Sequence, residues 1–231
     1  MDKKRKTKTK VIVLDIDDVI GDFCGDLCWV HNMVNGTCVT ANDIKDWNFE
    51  TLRVSDRNGN EVVGSDLRET FKFWEEHGLY ASLNIKPRVA EAISVMRLFG
   101  YKVIFLTARD SKFREETKLN FWRNGIKFRD DELILRDDSD KSNFKTKKIR
   151  QLSRDYNIQM FVDDKYSTIE HVAENTNVNI VCLLETASTR ELVIIKGDTE
   201  NRLEKNENIH KFIDLYDVTK LLKDLRPKED R

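Results

Sequence analysis

Four short runs dense in apolar, mostly β-branched residues constrain this chain more than anything else in it: KVIVLDID (10–17), YKVIFLTA (101–108), IQMFVDD (158–164) and NIVCLL (179–184). They are near-continuous rather than alternating, the pattern of parallel strands covered on both faces. Helical patterns lie between them. Pro87 to Phe99 opens with a proline and stops at Gly100. Ser111 to Asn124 carries Phe113, Thr117, Phe121 and Trp122 at helical spacing and ends at Gly125; Lys145 to Tyr156 carries Ile149 and Leu152; Ser167 to Asn175 follows the third run. Alternation of this kind predicts a doubly wound α/β parallel sheet.

The expected organisation is a basic tail at 1–9, a core made of 10–20 and 85–225, a cap subdomain at 21–84 inserted after the first strand, and a tail at 226–231. The 21–84 stretch holds Phe23, Trp29, Trp47, Phe49, Phe71, Phe73, Trp74 and Tyr80 and the turn-like DRNGNE, so it reads as mainly helical with a small hairpin or loop near Asn58-Gly59. Beyond Leu184, ELVIIKGD (191–198) reads as a strand and NIHKFIDLYDVTKLLKDL (208–225) as an amphipathic helix. That helix and the aromatic cap leave room for a homodimer.

Lys and Arg (40) nearly cancel Asp and Glu (41), so no global field announces a nucleic-acid or acidic partner. The local exception, MDKKRKTKTK, reads as a solvated tail, with a nucleic-acid-binding arm as the alternative. No stretch approaches the ~20 apolar residues of a membrane span, and the acidic turn of VIVLDID leaves no apolar signal region. Four cysteines are too few for a disulfide scaffold at this length, so a reducing, cytoplasmic location is expected.

The carboxylates fall where chemistry is expected. Asp15, Asp17 and Asp18 end the first run and Asp163 and Asp164 the third, and ligands of open α/β sheets bind outside the carboxyl ends of the strands. Acids converging there repel one another unless a cation holds them. Hard oxygen donors from Asp15, Asp17, Asp163 and Asp164 suit Mg2+, which binds few carboxylates together with a phosphate. Thr107, Ala108 and Arg109 end the second run with a hydroxyl, backbone amides and a cation, and Lys145 opens the helix before the third. In phosphoryl transfer Asp15 could attack phosphorus and Asp17 could carry the proton, while Thr107 and Lys145 neutralise the equatorial oxygens.

DIDDV, LTA, a lysine and FVDD, in that order and on those elements, resemble the four motifs of the haloacid dehalogenase (HAD) superfamily over roughly residues 10 to 185. The resemblance implies a magnesium-dependent phosphomonoesterase working through an aspartyl-phosphate. Many members carry glycine where Asp18 stands. Lys145 fits the motif lysine better than Lys148, which stays open as the alternative.

Within the superfamily, DIDDVIGDF, NDIKDWNF and FWEEHGLYASLNIKPRVAEAI are similar to the 5′(3′)-deoxyribonucleotidases, whose cap closes over a nucleoside monophosphate. That similarity makes Phe23, Trp47, Phe49 and Trp74 candidates for a base pocket, with cap core as their other reading. LRDDSDKSNFK and FVDDKYSTIEHV are similar to the 3′-phosphatase domain of polynucleotide kinase-phosphatases, where Arg109, Arg136 and Lys165 would add backbone contacts to a nucleic-acid end. A third reading is a catalytically silent scaffold or nucleic-acid-binding protein, which the retained Asp15, Asp17, Thr107 and Asp163 oppose. Cys24, Cys28 and His31 fall on one helix face, and with Cys38 could be read as a zinc site, but the spacing is not that of common zinc modules and is what a helix needs to bury small side chains, the preferred reading.

Overall fold

The computed structural model describes residues 7–45, 49–137, 143–185 and 208–223. Six strands form one parallel sheet in the order β5-β4-β1-β6-β7-β8: β1 (Lys10–Leu14), β4 (Lys102–Asp110), β5 (Leu133–Arg136), β6 (Asn157–Asp163), β7 (Ile180–Leu184) and β8 (Ile209–Phe212). β1 is central. The chain builds outward from it to β4 and β5, then crosses to β6, which makes β1 the topological switch point.

The near-continuous apolar runs are explained by the pleat. Ile12, Leu14, Val103, Phe105, Met160 and Val162 face one core, which takes in Ile93 of α4 (Val89–Leu98) and Phe121 of α5 (Arg114–Arg123). Their neighbours Val11, Val13, Ile104, Leu106 and Phe161 face the other, covered by α6 (Phe144–Leu152) and α7 (Tyr166–Asn175). Both sides of the inner strands therefore need apolar residues.

Between β1 and α4 the chain forms a second core from α1 (Phe23–Asn35), a hairpin of β2 (Arg53–Ser55) and β3 (Glu61–Val63), α2 (Gly64–Glu76) and the short α3 (Leu79–Ser82). The hairpin turns on Asp56, whose Oδ1 accepts the Asn58 and Asn60 backbone N–H groups at 2.8 Å, and on Gly59 at φ +83°. α1 buries Cys24, Cys28 and His31 on one face and leaves Cys38 beyond it exposed.

Three segments depart from expectation. β5 is not among the expected strands, because a four-residue edge strand with half-buried alternate positions is too short to register as an apolar run. Residues 209–212, expected in an amphipathic helix, pair as β8 with the free edge of β7. Asp214 then caps α8 (Leu215–Val218) by accepting the Tyr216 N–H at 2.6 Å, so sheet pairing outweighs the helical spacing. Pro87 precedes α4 rather than opening it, because Arg88 takes a left-handed φ of +61° with its guanidinium 3.4 Å from the Tyr216 ring centroid. The strand expected at 191–198 lies outside the described residues.

Candidate active site

The carboxyl ends of β1, β4 and β6 meet at one rim. Leu14 pairs with Phe105 and with Val162, and the Asp15 N–H donates to the Val162 carbonyl at 2.9 Å, so Asp15 is set level with Asp163 on the next strand. Asp15, Asp163 and Asp164 are all buried, and one carboxylate oxygen from each lies within 4.8 Å of the others. The Lys145 ammonium at the start of α6 bridges two of them, 2.7 Å from Asp15 Oδ2 and 2.7 Å from Asp163 Oδ2. The other Asp163 oxygen accepts the Lys165 N–H at 2.9 Å. Asp15 Oδ1 is buried with no hydrogen-bond partner among the described residues.

Electrostatics reflect this crowding. Burial pushes the Asp15 carboxyl up to about 7 against the opposing pull of Lys145, with Asp163 and Asp17 adding repulsion. Burial, then Asp163, Asp18 and Asp15, hold Asp164 well above the ordinary range. One lysine among three carboxylates leaves a site that favours added positive charge.

Asp17 stands apart from this trio. Arg109 donates through Nε to both of its carboxylate oxygens at 3.1 Å and through Nη2 to Oδ1 at 2.6 Å. The Arg109 side chain is buried: Nη1 donates to Thr117 Oγ1 at 3.1 Å, and the guanidinium carbon lies 4.5 Å from the Tyr80 ring centroid. Asp17, expected among the metal ligands, lies outside the acidic group, and Arg109, expected to bind substrate, lines the cleft and also holds Asp17.

Asp18 adopts φ +55°, the left-handed region in which glycine is the usual residue. Its Oδ1 accepts the Cys24 N–H at 3.1 Å, capping α1 where the N-cap residue Asp22 makes no such bond. Asp18 thus supplies a helix cap at the cost of backbone strain.

The rim opens into a cleft of about 590 Å³ lined by Asp15, Asp17, Ala108, Arg109, Lys145, Asp164 and Lys165 on the sheet side and by Phe23, Phe49, Arg68, Phe71, Lys72, Glu75 and Tyr80 on the other. Of the expected lining residues, Phe23, Phe49, Ala108, Arg109 and Lys145 are present. Trp74 is not: it packs in the second core with its Nε1 donating to Ser82 Oγ at 3.3 Å. Thr107 is also off the lining, fully buried, its hydroxyl accepting the Arg109 N–H at 3.2 Å. Trp47 lies outside the described residues. Arg136 lines an adjoining groove rather than the cleft.

Residues 54–212 match the family described as the HAD superfamily, subfamily IIIB (acid phosphatase). The chain belongs to this family. It is a HAD phosphatase, a phosphoric monoester hydrolase, and its six-stranded parallel sheet is the family's Rossmann-like fold. No curated protein matches its sequence. Among solved structures the HAD phosphatase resembles a haloacid dehalogenase-like hydrolase from Burkholderia xenovorans, with TM-score 0.56 and 14% identity over 95% of this chain and 100% of that one. A phosphonoacetaldehyde hydrolase-like protein from Oleispira antarctica matches with TM-score 0.55 and 12% identity over 97% and 96%. The class C acid phosphatase from Bacillus anthracis, solved with tungstate bound, matches with TM-score 0.50 and 14% identity over 97% and 82%. At such identities these likenesses speak to fold. No helix among the described residues is long and apolar enough to cross a membrane.

Sequence reasoning missed Arg68, Phe71, Lys72 and Tyr80 in the cleft wall. The signal for the α2 residues was there: 68, 71, 72 and 75 fall at i, i+3, i+4 and i+7, one stripe of a helix.

Proposed function

We propose that this HAD phosphatase is a magnesium-dependent nucleotidase that hydrolyses nucleoside monophosphates through an aspartyl-phosphate on Asp15, with residues 21–84 acting as the cap over the substrate. The supporting observation is the juxtaposition of a buried carboxylate trio and Lys145 with a cleft walled by Phe23, Phe49, Phe71 and Tyr80. The rim suits a phosphoryl group, and aromatic faces suit a base, whichever base it is.

The donor set fits magnesium. Asp15, Asp163 and Asp164 offer hard oxygens close together, and Asp15 Oδ1 is a buried acceptor with no partner among the described residues, a costly arrangement unless a cation meets it. Held by these three, magnesium would supply Lewis-acid charge to the phosphoryl oxygens.

In the proposed cycle an Asp15 oxygen attacks phosphorus, forming a carboxylate–phosphorus bond as the bond from phosphorus to the leaving oxygen breaks. Asp17 gives that oxygen its proton, then takes one from the water that attacks the phosphoryl group and frees Asp15. Lys145 orients Asp15 and Asp163, and Arg109 fixes the direction in which Asp17 points.

A panel of ribo- and deoxynucleoside monophosphates with either phosphate position, assayed with magnesium and with a chelator, tests the proposal. Hydrolysis of nucleotides that stops on chelation and returns with magnesium is expected. Release of phosphate from sugar phosphates alone refutes the nucleotidase reading.

A further inference from the structure

α2 has two neighbouring stripes. Leu67, Thr70 and Trp74 are buried in the second core, and Arg68, Phe71, Lys72 and Glu75 line the cleft. Phe71 meets Phe23 edge-on with ring centroids 5.7 Å apart, and Glu75 accepts from the Tyr80 hydroxyl at 3.1 Å. Arg68 and Lys72, one turn apart and exposed, make no ion pair or side-chain hydrogen bond among the described residues. The charge of the scissile phosphate is already answered at the rim by Lys145 and by the cation the carboxylate trio favours. Two further cations on a different wall of the same cleft, with aromatic rings beside them, suit a different anion.

We propose that Arg68 and Lys72 bind a second phosphate on the substrate, making a nucleoside bisphosphate the preferred ligand of the cleft. The inference rests on the nucleotidase reading and refines it. The leaving group has to lie beside Asp17 to receive its proton, and Asp17 lines this cleft together with Arg68 and Lys72. The adjoining groove, which carries Arg136 and Lys165, is the weaker candidate: it contains neither Asp17 nor Arg68, and Glu170 and Glu174 place carboxylates along it. A cleft of about 590 Å³ is of small-ligand size. Arginine recognises phosphate through paired donors, and lysine adds a point charge.

The test compares kcat/KM for a nucleoside 5′-monophosphate, the 3′,5′-bisphosphate of the same nucleoside and a 3′-phosphorylated oligonucleotide, in wild type and in the Arg68→Ala/Lys72→Ala double variant. Exposed charge pairs of this kind amount to about a fivefold preference for the bisphosphate in wild type, weakening with added salt and falling toward one in the double variant. Circular dichroism confirms that the variant is folded. If wild type cleaves both nucleotides equally, or the variant keeps the wild-type ratio, the second-phosphate site is refuted and the nucleotidase reading stands. Preference for the oligonucleotide over the bisphosphate overturns the small-ligand assignment. Failure to cleave any nucleotide refutes the nucleotidase reading itself, and this refinement with it.

Discussion

Arg109→Ala is the most informative single change, because it separates holding a proton carrier from meeting the phosphate. The substitution removes three contacts to Asp17 of 3.1, 3.1 and 2.6 Å and the support the guanidinium gives Thr117 and Tyr80. Breaking a fully buried ion pair costs about 3–5 kcal/mol. The Arg109 side chain is 2% exposed but that of Asp17 is 22% exposed, so water takes over part of the lost interaction, and a cost of about 2–3 kcal/mol follows. For a chain of this size that lowers the melting temperature by roughly 5–10 °C. The kinetic consequence depends on the leaving group. A positioned acid contributes about 10²–10⁴-fold when the departing oxygen needs a proton, as a nucleoside hydroxyl does, and far less when p-nitrophenolate departs. Arg109→Ala and Asp17→Asn should therefore both slow nucleoside monophosphates much more than p-nitrophenyl phosphate, and the double variant should be no slower than Asp17→Asn alone. Equal loss on both substrates by Arg109→Ala, or additive loss in the double variant, refutes the claim that Arg109 acts through Asp17.

Other consequences are equally open to measurement. Asp18→Gly keeps the left-handed backbone and loses only the cap to Cys24, whereas Asp18→Ala loses the cap and keeps the strain; chemical denaturation should find the alanine variant less stable by about 0.5–1 kcal/mol. Gly64→Ala would drive a methyl group into the Phe49 carbonyl, so it should raise KM for aromatic phosphate esters by displacing a cleft residue; an unchanged KM counts against Phe49 as a wall of the site. Burial, partly opposed by Asp66, lowers the affinity of His31 for a proton, and its Nδ1 contacts Thr70 Oγ1 at 2.8 Å. The unfolded chain then binds the extra proton below about pH 6.5, so stability present above that pH is lost as pH falls through the lower folded value. The urea midpoint should decline across that window, with a shallower decline in His31→Gln.

Much of the fold was legible because a parallel strand buried on both faces must be apolar at successive positions, and Val11 to Leu14 and Val103 to Leu106 leave little else to be. The acids at the strand ends were legible for the same reason: once the strands are placed, Asp15 and Asp163 have only one rim to occupy. β5 and β8 escaped because edge strands are short and are decided by pairing partners far along the chain. In the candidate site, the nucleotidase similarity offered Trp74 for a base pocket with cap core as its other reading; it belongs to the buried stripe of α2, and the cleft belongs to the stripe one residue along. The grip of Arg109 on Asp17 joins residues separated by 92 positions, and no local pattern announces it.

The central claim is that Asp15 is the nucleophile, and the direct measurement is acid-quenched labelling with a substrate carrying a radioactive phosphate. Wild-type protein quenched during turnover should hold label that is stable in acid, lost to hydroxylamine and located on the peptide containing Asp15, and Asp15→Asn should hold none. Label on another residue, or full turnover by Asp15→Asn, would contradict the account.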